Sequence, residues 1–104
     1  MFVTAQGSAL TRYRRAVERR HVFGAEIAAK EMAFLSLRDA LGLLALYASE
    51  DSPKYGKAAI RWLGRLALES DDLRLEDVQF AAAALHAMPT RPDAALKVLT
   101  DLSR

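Results

Sequence analysis

With 104 residues and a mass of 11.5 kDa, the chain is long enough to bury one hydrophobic core without disulfides or metals. Hydrophobic residues make up 52%, which excludes a disordered chain, and the absence of cysteine excludes disulfides, thiolate catalysis and cysteine-based zinc sites. The formal net charge is only +2, but residues 1–20 carry five arginines against one glutamate, whereas residues 69–77 carry five acids against one arginine. This polarity is compatible with head-to-tail association or with an oriented partner.

The start of the chain, MFVTAQGSAL, has no basic region followed by an apolar run, so we expect no signal peptide. The longest strongly apolar stretch, residues 40–48, is about half of a membrane span. A soluble, cytoplasmic protein that does not enter a membrane is therefore expected.

The fold is predicted to be all-α, with five or six short antiparallel helices, because strand-like alternation is missing and Ala, Leu, Arg and Glu dominate. Residues 1–7 are predicted as an N-terminal tail and residues 8–104 as a single helical domain. Ser8 is the predicted N-cap of the first helix. A second helix is predicted over residues 22–34, with one helix continuous with the first as the alternative. The predicted core face of this second helix is Phe23, Ile27, Ala28, Met32 and Leu35.

The string SLRD predicts a capping box, with Ser36 as N-cap and Asp39 three residues later, at the start of a third helix over residues 37–49. One face of this helix carries Leu37, Leu41, Leu44 and Ala48, and the remaining sides carry Leu43, Leu46 and Tyr47. A helix without a polar face must be buried on several sides.

Three further helices are predicted by turn residues. Ser52 and Pro53 in the string EDSPKYGK predict the start of the fourth helix. The fifth, over residues 75–88, carries two apolar stripes, one of Val78, Ala82 and Leu85 and one of Phe80, Ala83 and Ala87. Thr90 is the predicted N-cap of the last helix, in which Pro92 lies near the start.

Two resemblances follow from these strings. The string KYGKAAIRWLGRLALE, with the later LEDVQFAAAALHAM, is similar to small, all-helical, uncharacterised proteins of actinobacteria, in which strings of the form Y-x-x-A-A-x-R-W occur. This resemblance covers about the C-terminal half and implies a bacterial source but no activity. The chain also resembles a tetratricopeptide helical hairpin, in architecture only. This resemblance lies in the spacing of Ala25, Ala28, Ala29, Met32, Ala45, Ala48 and Pro53.

Two basic rows lie at helical spacing, Arg12, Arg15 and Arg19 on the first helix and Lys57, Arg61 and Arg65 on the fourth. Such rows can neutralise successive phosphates of a nucleic acid. However, no helix-turn-helix signature accompanies them, and each row lies opposite an apolar face, where a solvated surface is expected. We favour the solvated surface and keep nucleic-acid or partner binding as the alternative.

No nucleophile, dinucleotide or P-loop motif is present, so we predict neither an enzyme nor a cofactor. His21 and His86 lie far apart and neither has a carboxylate at position i+3 or i+4, so no metal site is predicted. A small-ligand function would require a closed pocket that holds Gln79 and His86 together.

The third and fifth helices both lack a broad polar face, and a domain of this size shelters one such helix more easily than two. A second copy is the simplest cover, so we predict a homodimer with Leu43, Leu46, Tyr47 and Phe80 at its interface. The alternative is that the flanking helices bury these side chains within one chain. The predicted function is a non-enzymatic protein–protein interaction or adaptor module that acts through an apolar helical face.

Overall fold

The computed structural model describes residues 5–103, over which the chain forms six α-helices and no strand. The helices are α1 (Ala5–Glu18), α2 (Val22–Glu31), α3 (Leu37–Ser49), α4 (Tyr55–Glu69), α5 (Leu75–Ala87) and α6 (Pro92–Leu102). The prediction of an all-α bundle is confirmed. Of the predicted tail, residues 5–7 belong to α1, and residues 1–4 lie outside the described part of the chain. None of these six helices combines the length and the apolar character that a bilayer crossing requires.

The predicted break between the first two helices is confirmed. Arg20 adopts a left-handed conformation with φ of 58°, at the turn between α1 and α2. His21 then caps α2, because the backbone N–H of Gly24 donates to His21 Nδ1 at 3.2 Å. A Cβ atom at Gly24 would lie 2.4 Å from that nitrogen, so this cap requires a glycine. His21 therefore has a structural role at the turn.

Capping chemistry sets the starts of α3 and α4. The backbone N–H of Asp39 donates to Ser36 Oγ at 3.0 Å, which confirms the predicted N-cap of α3. In contrast, α4 begins at Tyr55 and not directly after Ser52. Ser52 belongs to a preceding turn, in which its Oγ accepts the backbone N–H of Lys54 at 3.2 Å.

Two other predicted N-caps are wrong. Ser8 lies inside α1, because the helix already begins at Ala5. Pro92 is the first residue of α6, as a proline favours, but the N-cap is Arg91 and not Thr90. Thr90 is engaged elsewhere, since its hydroxyl donates to the backbone carbonyl of Ala87 at 3.2 Å.

Neighbouring helices run antiparallel. The indole N–H of Trp62, at the middle of α4, donates to the carbonyl of Leu37, the first residue of α3, at 2.8 Å. Tyr55, the first residue of α4, donates its hydroxyl to the carbonyl of Leu85 near the end of α5, at 2.6 Å. Short turns between successive helices favour this arrangement.

Two hydrophobic cores share α3. The C-terminal core consists of Leu37, Leu41, Leu44, Ala48, Ala59, Trp62, Leu66, Ala81, Ala84, Leu85, Met88, Ala95 and Leu99. The N-terminal core consists of Ala9, Tyr13, Ala16, Ala25, Ala28, Met32 and Leu46. The predicted leucine face of α3 is thus confirmed, and the opposite side of the same helix supports a second core.

The predicted core face of α2 is confirmed at Ala28 and Met32, which are buried, and wrong at Phe23 and Ile27. Phe23 is 67% exposed and Ile27 is 41% exposed, whereas Ala25 and Ala28 are buried in the N-terminal core. The distance between two packed helices depends on the side chains at their contact, and small ones let the backbones approach closely. Close packing of α1 on α2 therefore selects the alanine side and leaves the larger side chains outside.

The stripes predicted on α5 are also corrected. Ala82 and Ala83 are exposed, and the buried residues are Ala81, Ala84 and Leu85. A helix that is apolar nearly all round offers several stripes of similar strength, and its tertiary contacts decide which one is buried.

The surroundings of α3 correct part of the predicted self-interface. Leu46 is 4% exposed and Tyr47 is 7% exposed, because the flanking helices cover them within one chain. Leu43 is partly buried against the N-terminal core. Phe80 on α5 differs, with 58% of its surface exposed. A homodimer remains a prediction, but Leu46 has no surface left to offer to a second copy.

Candidate functional site

An open groove with a mainly apolar lining runs between α3 and α4. It has a volume of about 290 Å³. Its lining consists of Leu35, Ala40, Leu43, Leu44 and Tyr47 on one side and Ala58, Arg61, Trp62 and Arg65 on the other. We call it the α3–α4 groove. Concave sites with an apolar lining and a few polar groups are the usual places where proteins bind ligands.

The groove exists because α2 and α4 both flank α3 without meeting. Within the described residues, α2 contacts α1 and α3, while α4 contacts α3 and α5. Leu46 faces the N-terminal core and Leu44 the C-terminal core, so neighbouring helices cover the strip of α3 between them only in part. Leu43 is partly exposed on this strip, and the largely buried Tyr47 lies beside it in the lining of the groove.

A polar cluster bridges one end of the groove. The hydroxyl of Tyr47 donates to the carboxylate of Glu26 on α2, and Lys54 Nζ lies 2.7 Å from the same carboxylate. Lys54 directly precedes α4, so these contacts connect α2 to α4 across the end of α3. Lys54 and Tyr47 hold the pKa of Glu26 below its usual value, whereas burial and the Glu26 carboxylate raise the pKa of Tyr47. Glu26 is therefore ionised and Tyr47 neutral at neutral pH.

A second bridge joins the segment between α2 and α3 to α4, farther along α4. The guanidinium carbon of Arg65 lies 5.2 Å from the centre of the Phe34 ring, within the range of a cation–π interaction. Arg65 is also bonded along its own helix, since Nε lies 2.7 Å from Glu69 Oε2. The groove is thus open between its two flanks and bridged by side chains near both ends.

The rim of the groove on α4 is cationic. Arg61 and Arg65 are one helical turn apart and both line the groove. Arg61 pairs with no carboxylate of the described residues, whereas Arg65 forms an ion pair with Glu69 of the same helix. Lys57 lies one turn earlier and is exposed, but it does not line the groove. Of the three basic residues predicted on α4, Arg61 and Arg65 therefore lie beside the apolar lining of the α3–α4 groove.

The basic row of α1 lies elsewhere. Arg12, Arg15 and Arg19 line a separate shallow groove together with His21. Arg12 is also paired with the carboxylate of Glu31 on α2. Since α1 and α4 make no contact with each other in the described part of the chain, the two basic rows do not share a groove.

The other polar groups considered in the sequence do not form an enclosed site in the described residues. Gln79 and His86 are both exposed on α5, so they do not lie in an enclosed pocket. The acids near the start of α5 include a helix-capping group, because Asp77 Oδ2 accepts the backbone N–H of Arg74 at 3.0 Å.

Sequence reasoning missed the α3–α4 groove. The sequence predicts Leu43 and Tyr47 as residues of a self-interface and not as the lining of a groove, and the bridge from Glu26 to Tyr47 spans a sequence separation of 21 residues. The apolar strip of α3 and the basic row of α4 were both visible, but nothing in the sequence placed them side by side. Comparisons with protein-family models, with curated proteins and with solved structures found no match to the chain.

Proposed function

We propose that the chain is a non-enzymatic protein-interaction module that binds an apolar helical face of a protein in the α3–α4 groove. The observation that carries this proposal is the groove along α3 between two separately packed cores, in which the partly exposed Leu43 lies beside the largely buried Tyr47. A groove of this kind accepts an amphipathic helix through side chains at positions i, i+3, i+4 and i+7.

The dimensions of the groove agree with such a ligand. The two bridges involve Lys54 and Arg65 on the α4 side, which are 11 positions apart. At about 1.5 Å per residue, these positions are roughly 16 Å apart, which corresponds to about three turns of a bound helix. The bridges tie both flanks to fixed positions, so the groove is preorganised and the ordering cost of binding is small.

Selection of displayed peptides tests this proposal. A phage library of random peptides, each long enough for about four helical turns, is panned on the protein, and recovered peptides are titrated against it. Trp62 is the only tryptophan and lines the groove, so its emission should change on binding. In an Ala58→Phe variant, a larger side chain occupies the groove, and we expect at least about tenfold weaker binding, since that corresponds to about 1.4 kcal/mol.

The matched control is Ala67→Phe, on the exposed side of the same helix. It should bind the peptides as the wild type does, and thermal unfolding should show that both variants fold. If no peptide is recovered, or if recovered peptides bind Ala58→Phe unchanged, the proposal is wrong.

Nucleic-acid binding is a second candidate, favoured by the convergence of Arg12, Arg15 and Arg19 on one groove. Its affinity for a short DNA duplex should fall steeply with salt, because each neutralised phosphate releases counterions. An Arg15→Glu, Arg19→Glu variant should then lose affinity in low salt. Undetectable duplex binding by the wild type under those conditions would remove this candidate.

A further inference from the structure

The outer face of α5 has the chemistry that the α3–α4 groove lacks. Glu76, Gln79, Phe80 and Ala83 are all exposed, and they occur at positions i, i+3, i+4 and i+7. This is the spacing by which a helix presents one face to a groove. Phe80 is 58% exposed and is the largest side chain on this face. The face thus combines one acid, Glu76, with the aromatic Phe80, and all four of its side chains are exposed in the described chain.

The two surfaces are complementary in charge. The rim of the groove carries Arg61, which has no carboxylate partner among the described residues, with Lys57 exposed one turn away. The α5 face carries Glu76, and exposed Asp72 lies just before the helix; neither forms an ion pair within the described part of the chain. Opposite charges on facing rims steer association and set its orientation.

Length and shape also agree. The span from Glu76 to Ala83 is about 10 Å along the helix axis at 1.5 Å per residue. It therefore fits within the roughly 16 Å between the bridged positions of α4. Within one chain, α5 packs on α4 and α6 with its other side, so its outer face is directed away from the molecule to which it belongs. Only another copy can bring the two surfaces together.

We propose that the α3–α4 groove of one copy binds the outer face of α5 of a second copy, with Phe80 in the groove and Glu76 beside Arg61. This inference rests on the proposed function, because it assigns an occupant to the same groove. The contact joins two different surfaces, so it is heterologous; two such contacts made reciprocally give a dimer, and successive ones give a larger assembly.

The first test is the mass in solution. Sedimentation equilibrium of the wild type at rising concentration should report a mass of at least twice 11.5 kDa. Phe80→Ser should raise the dissociation constant by about 10- to 100-fold, the equivalent of exposing one phenylalanine side chain. The control is Ile60→Ser, since Ile60 is 72% exposed on α4 and does not line the groove. Loss of association in Ile60→Ser but not in Phe80→Ser would overturn the proposal.

The second test exchanges the charges. Arg61→Glu and Glu76→Arg should each weaken self-association, because each places like charges on facing rims. A mixture of the two variants should associate more strongly than either alone, since the reversed groove of the first then meets the reversed helix of the second. A mixture no stronger than its components would contradict the proposed pairing. Both changes are at exposed positions, and circular dichroism should show unchanged helix content.

The outcomes separate this inference from the function on which it rests. A wild type that stays at 11.5 kDa at high concentration but binds displayed peptides in the groove overturns the self-contact alone. A wild type that neither associates nor binds any peptide overturns both.

Discussion

The two cores that share α3 are built from different residues. The N-terminal core is lined mainly by alanine, at positions 9, 16, 25 and 28, so α1 and α2 approach closely. The C-terminal core is filled by bulky side chains that include Trp62, Leu66, Met88 and Leu99. A core filled by large side chains loses stability when one of them is truncated, because a cavity remains. A core in which backbones pack closely loses stability when an atom is added, because no space is left for it. The same central helix should therefore tolerate opposite kinds of change on its two sides.

The two cores also differ in how they are attached to α3. On the N-terminal side, the hydroxyl of Tyr13 donates to the carbonyl of Asp39 at 2.6 Å and accepts the N–H of Leu43 at 3.2 Å. Arg14 adds a two-pronged ion pair to the Asp39 carboxylate, with both N–O distances 3.1 Å. On the C-terminal side, the main polar link to α3 is the indole N–H of Trp62, and apolar burial supplies the rest.

The largest effect is expected from truncation of the C-terminal core. Leu99→Ala removes a fully buried side chain and should lower the free energy of unfolding by about 2–5 kcal/mol, because the cavity closes only in part. Leu68→Ala is the control, since Leu68 is 87% exposed and should change stability by no more than about 0.5 kcal/mol. Urea unfolding followed by Trp62 fluorescence measures both. Equal effects of the two variants would contradict the assignment of this core.

A smaller effect is expected from enlargement on the N-terminal side. A Cβ atom at Gly42 of α3 would lie 3.0 Å from Cγ1 of Val17, so Gly42→Ala should cost about 1–3 kcal/mol by overpacking, of which the helix propensity of alanine offsets about 0.5–1 kcal/mol. Gly64→Ala is a matched control in the interior of α4, where nothing lies within 4 Å of the new atom. That variant should gain about 0.5–1 kcal/mol in helix propensity. Stabilisation by Gly42→Ala would mean that α1 and α3 pack less closely than described.

A still smaller effect is expected from removal of the polar link at Tyr13. Its burial raises the pKa to about 12, so the hydroxyl stays protonated and can donate at neutral pH. After Tyr13→Phe, the carbonyl of Asp39 and the N–H of Leu43 can bond to each other, since they are four residues apart in α3. We therefore expect a loss of about 0.5–1.5 kcal/mol rather than the larger cost of an unsatisfied group. Chemical denaturation measures it, and a loss above that of Gly42→Ala would show that the helix does not close this bond.

The comparison of the two sides also explains what could be predicted from the sequence. Ser36 could be identified as an N-cap, because capping involves residues three positions apart. The leucine face of α3 could also be predicted, because residues three and four positions apart lie on the same side of a helix. In contrast, the burial of Ala25 instead of Ile27 depends on how closely α1 approaches α2, which no local pattern contains. The candidate groove likewise arises from the relative placement of three helices.

The smallest effect is expected from acid, and it should act on the N-terminal side first. Glu26 and Asp39 both join this side to its neighbours, and their cationic and hydroxyl partners hold both pKa values below the ordinary 4.5 and 3.8. A carboxyl group whose pKa is lowered in the folded state binds protons less readily there than when unfolded, so its contribution to stability is complete above the ordinary pKa. That contribution is lost as the pH falls through the lower folded value.

Two probes can follow this loss separately on lowering the pH. Circular dichroism reports all helices, whereas Trp62 lies in the C-terminal core and reports that side. Glu26→Gln removes one of the two titrating links, so its stability should be lower than that of the wild type near neutral pH and should fall less on acidification. Asp93→Asn is a suitable control, because Asp93 is exposed on α6, away from α3-facing carboxylates. If Glu26→Gln and the wild type lose the same free energy on acidification, the Glu26 carboxylate does not stabilise the link between α2 and α3, and the acid sensitivity of this side would have to come from Asp39.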